Sequence, residues 1–206
     1  MTIQTILSDP KNTILFVTPG ENTHLVVGVP HHAPLGVTAL PNSKHPVSDE
    51  NAGFIGYHLS QLLGCPAVIA CNYFLDPNKS LRTDYSRAIQ RIAPKLLVEI
   101  HGHSTGHARF DIEISCGSKE NNNLSMEVAS QLKRELSAIP SLTDYTLSGD
   151  FEQIYYKATG SATITSDLWK AVHVELPYPI RKSKSQYELF NIALAETIKK
   201  LIIDNE

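Results

Sequence analysis

Short apolar or β-branched runs recur along the chain, and between them apolar residues return at helical spacing. Six runs predict strands: Thr13–Thr18, Leu25–Pro30, Ala67–Cys71, Leu96–His101, Asp111–Cys116 and Ala171–Leu176. Several lack strict alternation, as strands covered on both faces do. Ser48 followed by Asp49 and Glu50 reads as a capped helix start, continued by the apolar spacing of residues 54–63. Residues 81–94 and 123–140 read as helices that end at a proline, and residues 187–203 as an amphipathic helix. Residues 117–123, GSKENNN, read as a surface loop. This alternation predicts an α/β fold: one three-layer domain over residues 1–206, with a mixed, mostly parallel sheet flanked by helices. In such sheets ligands sit beyond the carboxyl ends of the strands, so reactive residues are expected just after the strands.

Composition narrows the function classes. The chain has 206 residues, with 18 Lys plus Arg against 21 Asp plus Glu, a net charge of −3. That balance carries no electrostatic footprint for nucleic acid or an anionic membrane. No apolar run approaches the roughly 20 residues that cross a bilayer. The first residues, MTIQTILSDPKNT, lack a basic start and a long apolar stretch, so no export signal is expected. Three cysteines, Cys65, Cys71 and Cys116, lack metal-type pair spacing and suit reduced, buried thiols in the cytoplasm.

Histidine is the outlier, nine in number and clustered. The strand LVVGVP runs into His31 and His32, LLVEI into His101, Gly102 and His103, and AVHV into Glu175, while Asp49 and Glu50 open the first long helix. Two imidazoles and a carboxylate form a common catalytic zinc set that leaves one position for water. Bound water then loses its proton near neutral pH, and a further carboxylate can move that proton to a leaving amine. A Glu at the end of an apolar strand is costly unless it is paired, so Glu175 is the most informative carboxylate, with a salt bridge to Arg181 as its plain structural alternative. Glu99 is read as pointing away from His101's neighbours, as an ion-pair partner. His107 is read as a surface residue, Tyr85 and Trp169 as packing residues, and Tyr155, Tyr156 and Tyr178 as core or pocket wall.

The elements VPHHA (29–33), SDENAG (48–53), LDPNKS (75–80), EIHGHS (99–104) and VHVELP (172–177) together resemble the zinc carboxypeptidase-like superfamily, and within it the N-formylglutamate amidohydrolase branch. The resemblance spans most of residues 25–180 and implies a zinc exopeptidase type of fold. It implies His31, Glu50 and His101 as Zn²⁺ ligands and Glu175 as general base. His32 competes with His31, and Asp49 with Glu50. Asn78 and Lys79 match the pair that holds a substrate carboxylate, with Lys where Arg is usual, and Arg82 and Arg109 are further cationic candidates. The activity implied is hydrolysis of the amide bond of a small N-acylated acidic amino acid. The alternatives are a carboxypeptidase-type or γ-glutamyl peptide hydrolase, or a non-catalytic metal- or metabolite-binding domain.

Overall fold

A computed structural model describes residues 2–104 and 106–203. In chain order the elements are α1 (Ile3–Ser8), β1 (Ile14–Val17), β2 (Leu25–Ala33), β3 (Asp49–Glu50), α2 (Ala52–Leu63), β4 (Ala67–Cys71), α3 (Asp84–Ile92), β5 (Leu96–His103), β6 (Ile112–Ser115), α4 (Asn122–Ser137), β7 (Leu147–Ser148), β8 (Lys170–Pro177), α5 (Tyr178–Lys182) and α6 (Lys184–Ile203). Seven strands follow the order β1-β4-β2-β5-β8-β6-β7, and β3 pairs with β2. The centre, β4-β2-β5-β8, is parallel, whereas β1 and β6 run antiparallel to their neighbours β4 and β8. The α/β fold with a mixed sheet between helical layers is as the sequence predicts.

The two faces of the sheet differ, and that difference positions the site. One face packs Val27, Val29, Val98, Ile100, Val172 and Val174 against α2, α4 and α6 and is largely apolar, with His32 buried against the start of α2. The other packs Val26, Leu97 and Ala171 with Tyr85 and Ile89 of α3. Successive side chains of a strand alternate between faces. On the α3 face, therefore, β5 continues from Leu97 to Glu99, His101 and His103, and β8 from Ala171 to His173 and Glu175. In the parallel register Glu99 lies opposite His173 and His101 opposite Glu175. One sheet surface thus begins apolar and turns ionisable toward the carboxyl ends of its strands.

Two expectations are corrected. Residues Asp49 and Glu50 do not open a helix; they form β3, whose Asp49 is the register partner of His32. Asn51 then adopts the left-handed region (φ 69°) and α2 begins at Ala52. Backbone pairing to the free end of β2 outweighs the local capping tendency of Ser48. Likewise β2 runs on through His31 to Ala33 and β5 through His103, while His101 and Glu175 lie inside strands as their predicted ranges already had them. The reactive residues therefore occupy the last positions of the strands rather than the loops after them. A polar side chain does not end a strand whose backbone is still paired.

Gly28 is required where β2 passes Glu99. It is the register partner of Glu99, and a Cβ there would meet the Tyr85 hydroxyl and come within 2.9 Å of the Glu99 Cγ. Gly28→Ala is therefore expected to destabilise the fold by about 1–3 kcal/mol, the usual cost of overpacking a closed core. Denaturant unfolding against the parent protein measures this; an unchanged midpoint would contradict the packing described.

Candidate metal and hydrolytic site

Asp49 sits between two imidazoles. Its Oδ2 is 3.5 Å from His31 Nδ1 and 3.2 Å from His101 Nδ1. The two rings meet edge to face with centroids 5.2 Å apart. Each ring turns its other nitrogen to a second carboxylate: His31 Nε2 lies 3.0 Å from Asp76 Oδ1, and His101 Nε2 3.2 Å from Glu99 Oε2. Both Nδ1 atoms are thereby aimed at Asp49, because a carboxylate that accepts at Nε2 fixes tautomer and ring orientation. His45, from the loop joining β2 to β3, stacks on His31 with centroids 3.9 Å apart.

Glu99 is the most enclosed of these carboxylates. Its Oε1 accepts from the Tyr85 hydroxyl (3.0 Å) and the Thr163 hydroxyl (2.6 Å), and its Oε2 from the Asn78 amide (3.4 Å). Glu175, the register partner of His101, has His173 Nε2 3.2 Å from its Oε1. Arg181, its plain structural alternative, is spent elsewhere. The guanidinium donates to the carbonyls of Glu50 (2.7 Å), His103 (3.2 Å) and Leu176 (3.2 Å). It crosses Gly102 so closely that a Cβ there would overlap it.

The electrostatics follow from burial against these contacts. Burial alone would push the His101 imidazole down, but Asp49 and Glu99 overcome it and bring it up to about 10. His31 is raised in the same way: burial opposes, Asp49 and Asp76 prevail. Burial would raise the carboxyls of Asp49 and Glu99, yet the imidazoles hold both below the ordinary range. Glu175 is also lowered, burial being outweighed by His173.

Unpartnered atoms indicate what this cluster could hold. Among the described residues, eight buried side-chain nitrogen or oxygen atoms lack a hydrogen-bond partner. Five of them, His31 Nδ1, Asp49 Oδ2, Asn78 Oδ1, His173 Nδ1 and Glu175 Oε2, belong to this one region, so the deficit is local rather than scattered. Orphaned buried polar atoms are costly, and a cation among them removes the cost. His31, Asp49 and His101 each offer a ligand atom, all within 4.8 Å of one another. The donor set, two imidazoles and one carboxylate, fits Zn²⁺.

The other sequence candidates fall into place around it. His32 is structural: its Nε2 lies 3.0 Å from the Leu7 carbonyl, Gly53 N–H donates to its Nδ1 (3.0 Å), and burial lowers it to about 4. Glu50 does not converge with the imidazoles. As the neighbour of Asp49 in β3 it points to the opposite side, and its Oε2 accepts from Gly36 N–H (2.6 Å). Asp49 stands in the place expected for it. Asn78 is buried and committed to Glu99, while Lys79 is exposed, with its ammonium beside Gly160. Arg82 is exposed, and its backbone N–H donates to the Ser80 hydroxyl (3.2 Å). Arg109, also exposed, donates to the Gln153 carbonyl (3.2 Å). Glu99 points toward His101, not away from its neighbours. Tyr85 is core but hydrogen-bonds Glu99, and Trp169 is a buried anchor whose Nε1 donates to Thr163 (2.8 Å).

Sequence reasoning gave no role to Asp76, His173 or Glu113, although Asp76 stands in the LDPNKS element and His173 in VHVELP. Glu113 is buried; its two oxygens accept backbone N–H groups of Arg109 (2.7 Å), Phe110 (3.2 Å), Tyr155 (2.9 Å) and Tyr156 (2.8 Å), pinning two loops beside Glu175. The available signal was spacing: Glu99 with His101, and His173 with Glu175, are pairs two residues apart on one strand face.

No protein-family model matches the chain, and neither does any curated protein sequence. Solved structures do. The N-acetylmuramoyl-L-alanine amidase AmiC2 of Nostoc punctiforme matches with a TM-score of 0.57 at 15% identity, covering 89% of this chain and 99% of that one. A bacteriophage poly-gamma-glutamate hydrolase matches with a TM-score of 0.59 at 12% identity, covering 92% and 89%. The N-formylglutamate amidohydrolase from Ralstonia eutropha matches with a TM-score of 0.55 at 11% identity, covering 92% and 97%. At these identities the likeness establishes the fold.

Two outcomes are expected from metal titration. Asp49→Ala should abolish stoichiometric Zn²⁺ binding by the purified chain while Glu50→Gln retains it; elemental analysis after dialysis decides, and the reverse pattern would restore Glu50. The imidazoles must shed protons to bind the ion, so Zn²⁺ affinity should rise with pH up to the raised His101 value of about 10. Calorimetry in buffers of different ionisation enthalpy reads the proton release, and its absence at neutral pH would contradict the charged-imidazole cluster.

Proposed function

We propose that this chain is a zinc-dependent amidohydrolase that acts as one unit over residues 1–206. It cleaves the amide bond of a small N-acylated acidic amino acid, in the manner of N-formylglutamate amidohydrolase. The observation that carries the reading is the placement of Glu175. A buried carboxylate with an orphaned Oε2 lies directly across the sheet from His101, next to an Asp49 flanked by two inward Nδ1 atoms. Glu175 also lies with His101 and His173 in a group that could hold an ion; the reading of it as a base rests on Oε2 being left without a partner beside the His31, Asp49 and His101 set.

In this reading His31, Asp49 and His101 hold the ion, and Asp76 and Glu99 keep the two rings in position. When bound, zinc supplies a Lewis acid and lowers the pKa of water to about 7. Glu175 takes a proton at Oε2 and delivers it to the leaving nitrogen, general base becoming general acid. Lys79, exposed at the rim beside Asp76, offers the substrate carboxylate its cation, as a point charge and not a two-pronged clamp. Arg82 and Arg109 are more remote candidates for the same role. Cytoplasmic action agrees with three buried, unbridged thiols, each raised by burial to about 12.

A second reading, cleavage within a larger peptidyl or γ-glutamyl substrate, is favoured by the exposed apolar side chains on the loops that follow β2 and β4. Leu35, Val47 and Phe74 are 45%, 59% and 55% exposed there. The relatives of similar fold act, by their names, on both small and polymeric amides.

A panel of formyl-, acyl- and peptidyl-glutamates, assayed with the zinc-loaded chain, separates the two readings by relative kcat/KM. In the preferred substrate Glu175→Gln should keep its zinc and lose roughly 100- to 10,000-fold in kcat, the span of general acid–base catalysis. Full activity of that variant would remove Glu175 from the base role, and zinc without turnover on any amide would overturn the enzymatic reading.

A further inference from the structure

β5 and β8 carry the same pair of residue types in opposite order. In β5 a carboxylate precedes an imidazole by two residues, Glu99 then His101; in β8 an imidazole precedes a carboxylate, His173 then Glu175. The pairs lie in register on one face, and within each the imidazole Nε2 is 3.2 Å from the carboxylate oxygen. In β5 the carboxylate orients the imidazole. We propose that in β8 the roles are exchanged: His173 is a positioning residue that donates its Nε2–H to Oε1 of Glu175 and leaves Oε2 as the oxygen that accepts the proton. This rests on the amidohydrolase reading, in which Glu175 is the base.

Three observations support it. Glu175 is buried, and among the described residues its one ion-pair partner is His173, whose Nε2 stands 3.2 Å from Oε1. The guanidinium nearest in sequence, Arg181, is engaged by three carbonyls. An ionised carboxylate only accepts, so the shared proton resides on the imidazole Nε2. A side chain ending in a carboxylate has freedom about its last bonds, and one donor at Oε1 removes it. The His173 ring is itself held, packed at 4.3 Å between centroids against His101. Orientation of the base is thereby tied to the ring that carries an inward-facing nitrogen.

The test uses the zinc-loaded full chain with His173→Leu and His173→Gln. The leucine variant should keep one zinc per chain and an unchanged KM but lose about 10–100-fold in kcat, the usual cost of removing an orienting partner. The glutamine variant, whose amide N–H reaches the place of Nε2, should recover most of that loss. Full kcat in the leucine variant would overturn the proposal, as would loss of zinc, which would make His173 a ligand, or a glutamine variant no better than leucine. Should the leucine variant fail to fold, nitrogen–hydrogen correlation NMR of the parent decides without it. The His173 proton is expected on Nε2, with a resonance that moves in Glu175→Gln; a proton on Nδ1 overturns the assignment. That spectrum does not depend on turnover. If no amide is hydrolysed, the function fails while the pairing is still judged.

Discussion

A carboxylate without access to water must find protons or a cation. Asp49, Glu99 and Glu175 are all in that position, on three strands of one sheet. Removing an ionised carboxylate from water costs several kcal/mol even in a relaxed protein interior. Each is therefore matched to an imidazole, and every imidazole in the group faces a carboxylate. The compensation is incomplete. Asp49 Oδ2 and His31 Nδ1 approach to 3.5 Å without the angles of a hydrogen bond, and both remain unpartnered. A divalent ion placed between them would complete the arrangement, so the same buried charges that the fold must compensate are the ones that could hold a metal.

The sheet makes this affordable by assigning its two surfaces different work. The face toward α2, α4 and α6 is largely apolar and supplies most of the core. The α3 face contributes a smaller core at the amino ends of the strands and leaves the carboxyl ends to ionisable groups. Tyr85 marks the boundary. Its ring belongs to the apolar cluster under α3, and its hydroxyl donates to Glu99. The absence of a side chain at Gly28 admits that hydroxyl.

Much of this organisation is legible in the sequence, and what is not fails for identifiable reasons. The apolar runs at 25–30, 96–101 and 171–176 mark the three central strands, because residues packed on both faces cannot alternate strictly. The end of the first is misjudged, since a buried His31 looks like a loop residue until its partner is known. Ser48, Asp49 and Glu50 carry the composition of a helix start, and only the long-range pairing of β3 with β2 reveals that one of the two carboxylates faces the imidazoles and the other turns away. His101 and Glu175 stand out as polar residues ending apolar strands. Asp76 and His173 do not, because their roles exist only relative to residues brought close by folding. His31 is separable from His32 only through Leu7 and Gly53, which come from α1 and α2.

Arg181 joins the backbone at Glu50, His103 and Leu176, and so ties the ends of β3, β5 and β8 with one planar group. Those are the strands that deliver Asp49, His101 and Glu175. The separation between Asp49 and the His101–Glu175 pair is thus gauged by the span of a single guanidinium fork. β5 and β8 are already joined by their own ladder through His103 and Pro177, so a shorter or singly pointed cation at that position would chiefly loosen β3, and the distance from Asp49 to the other two strand ends would become a thermal average instead of a fixed dimension.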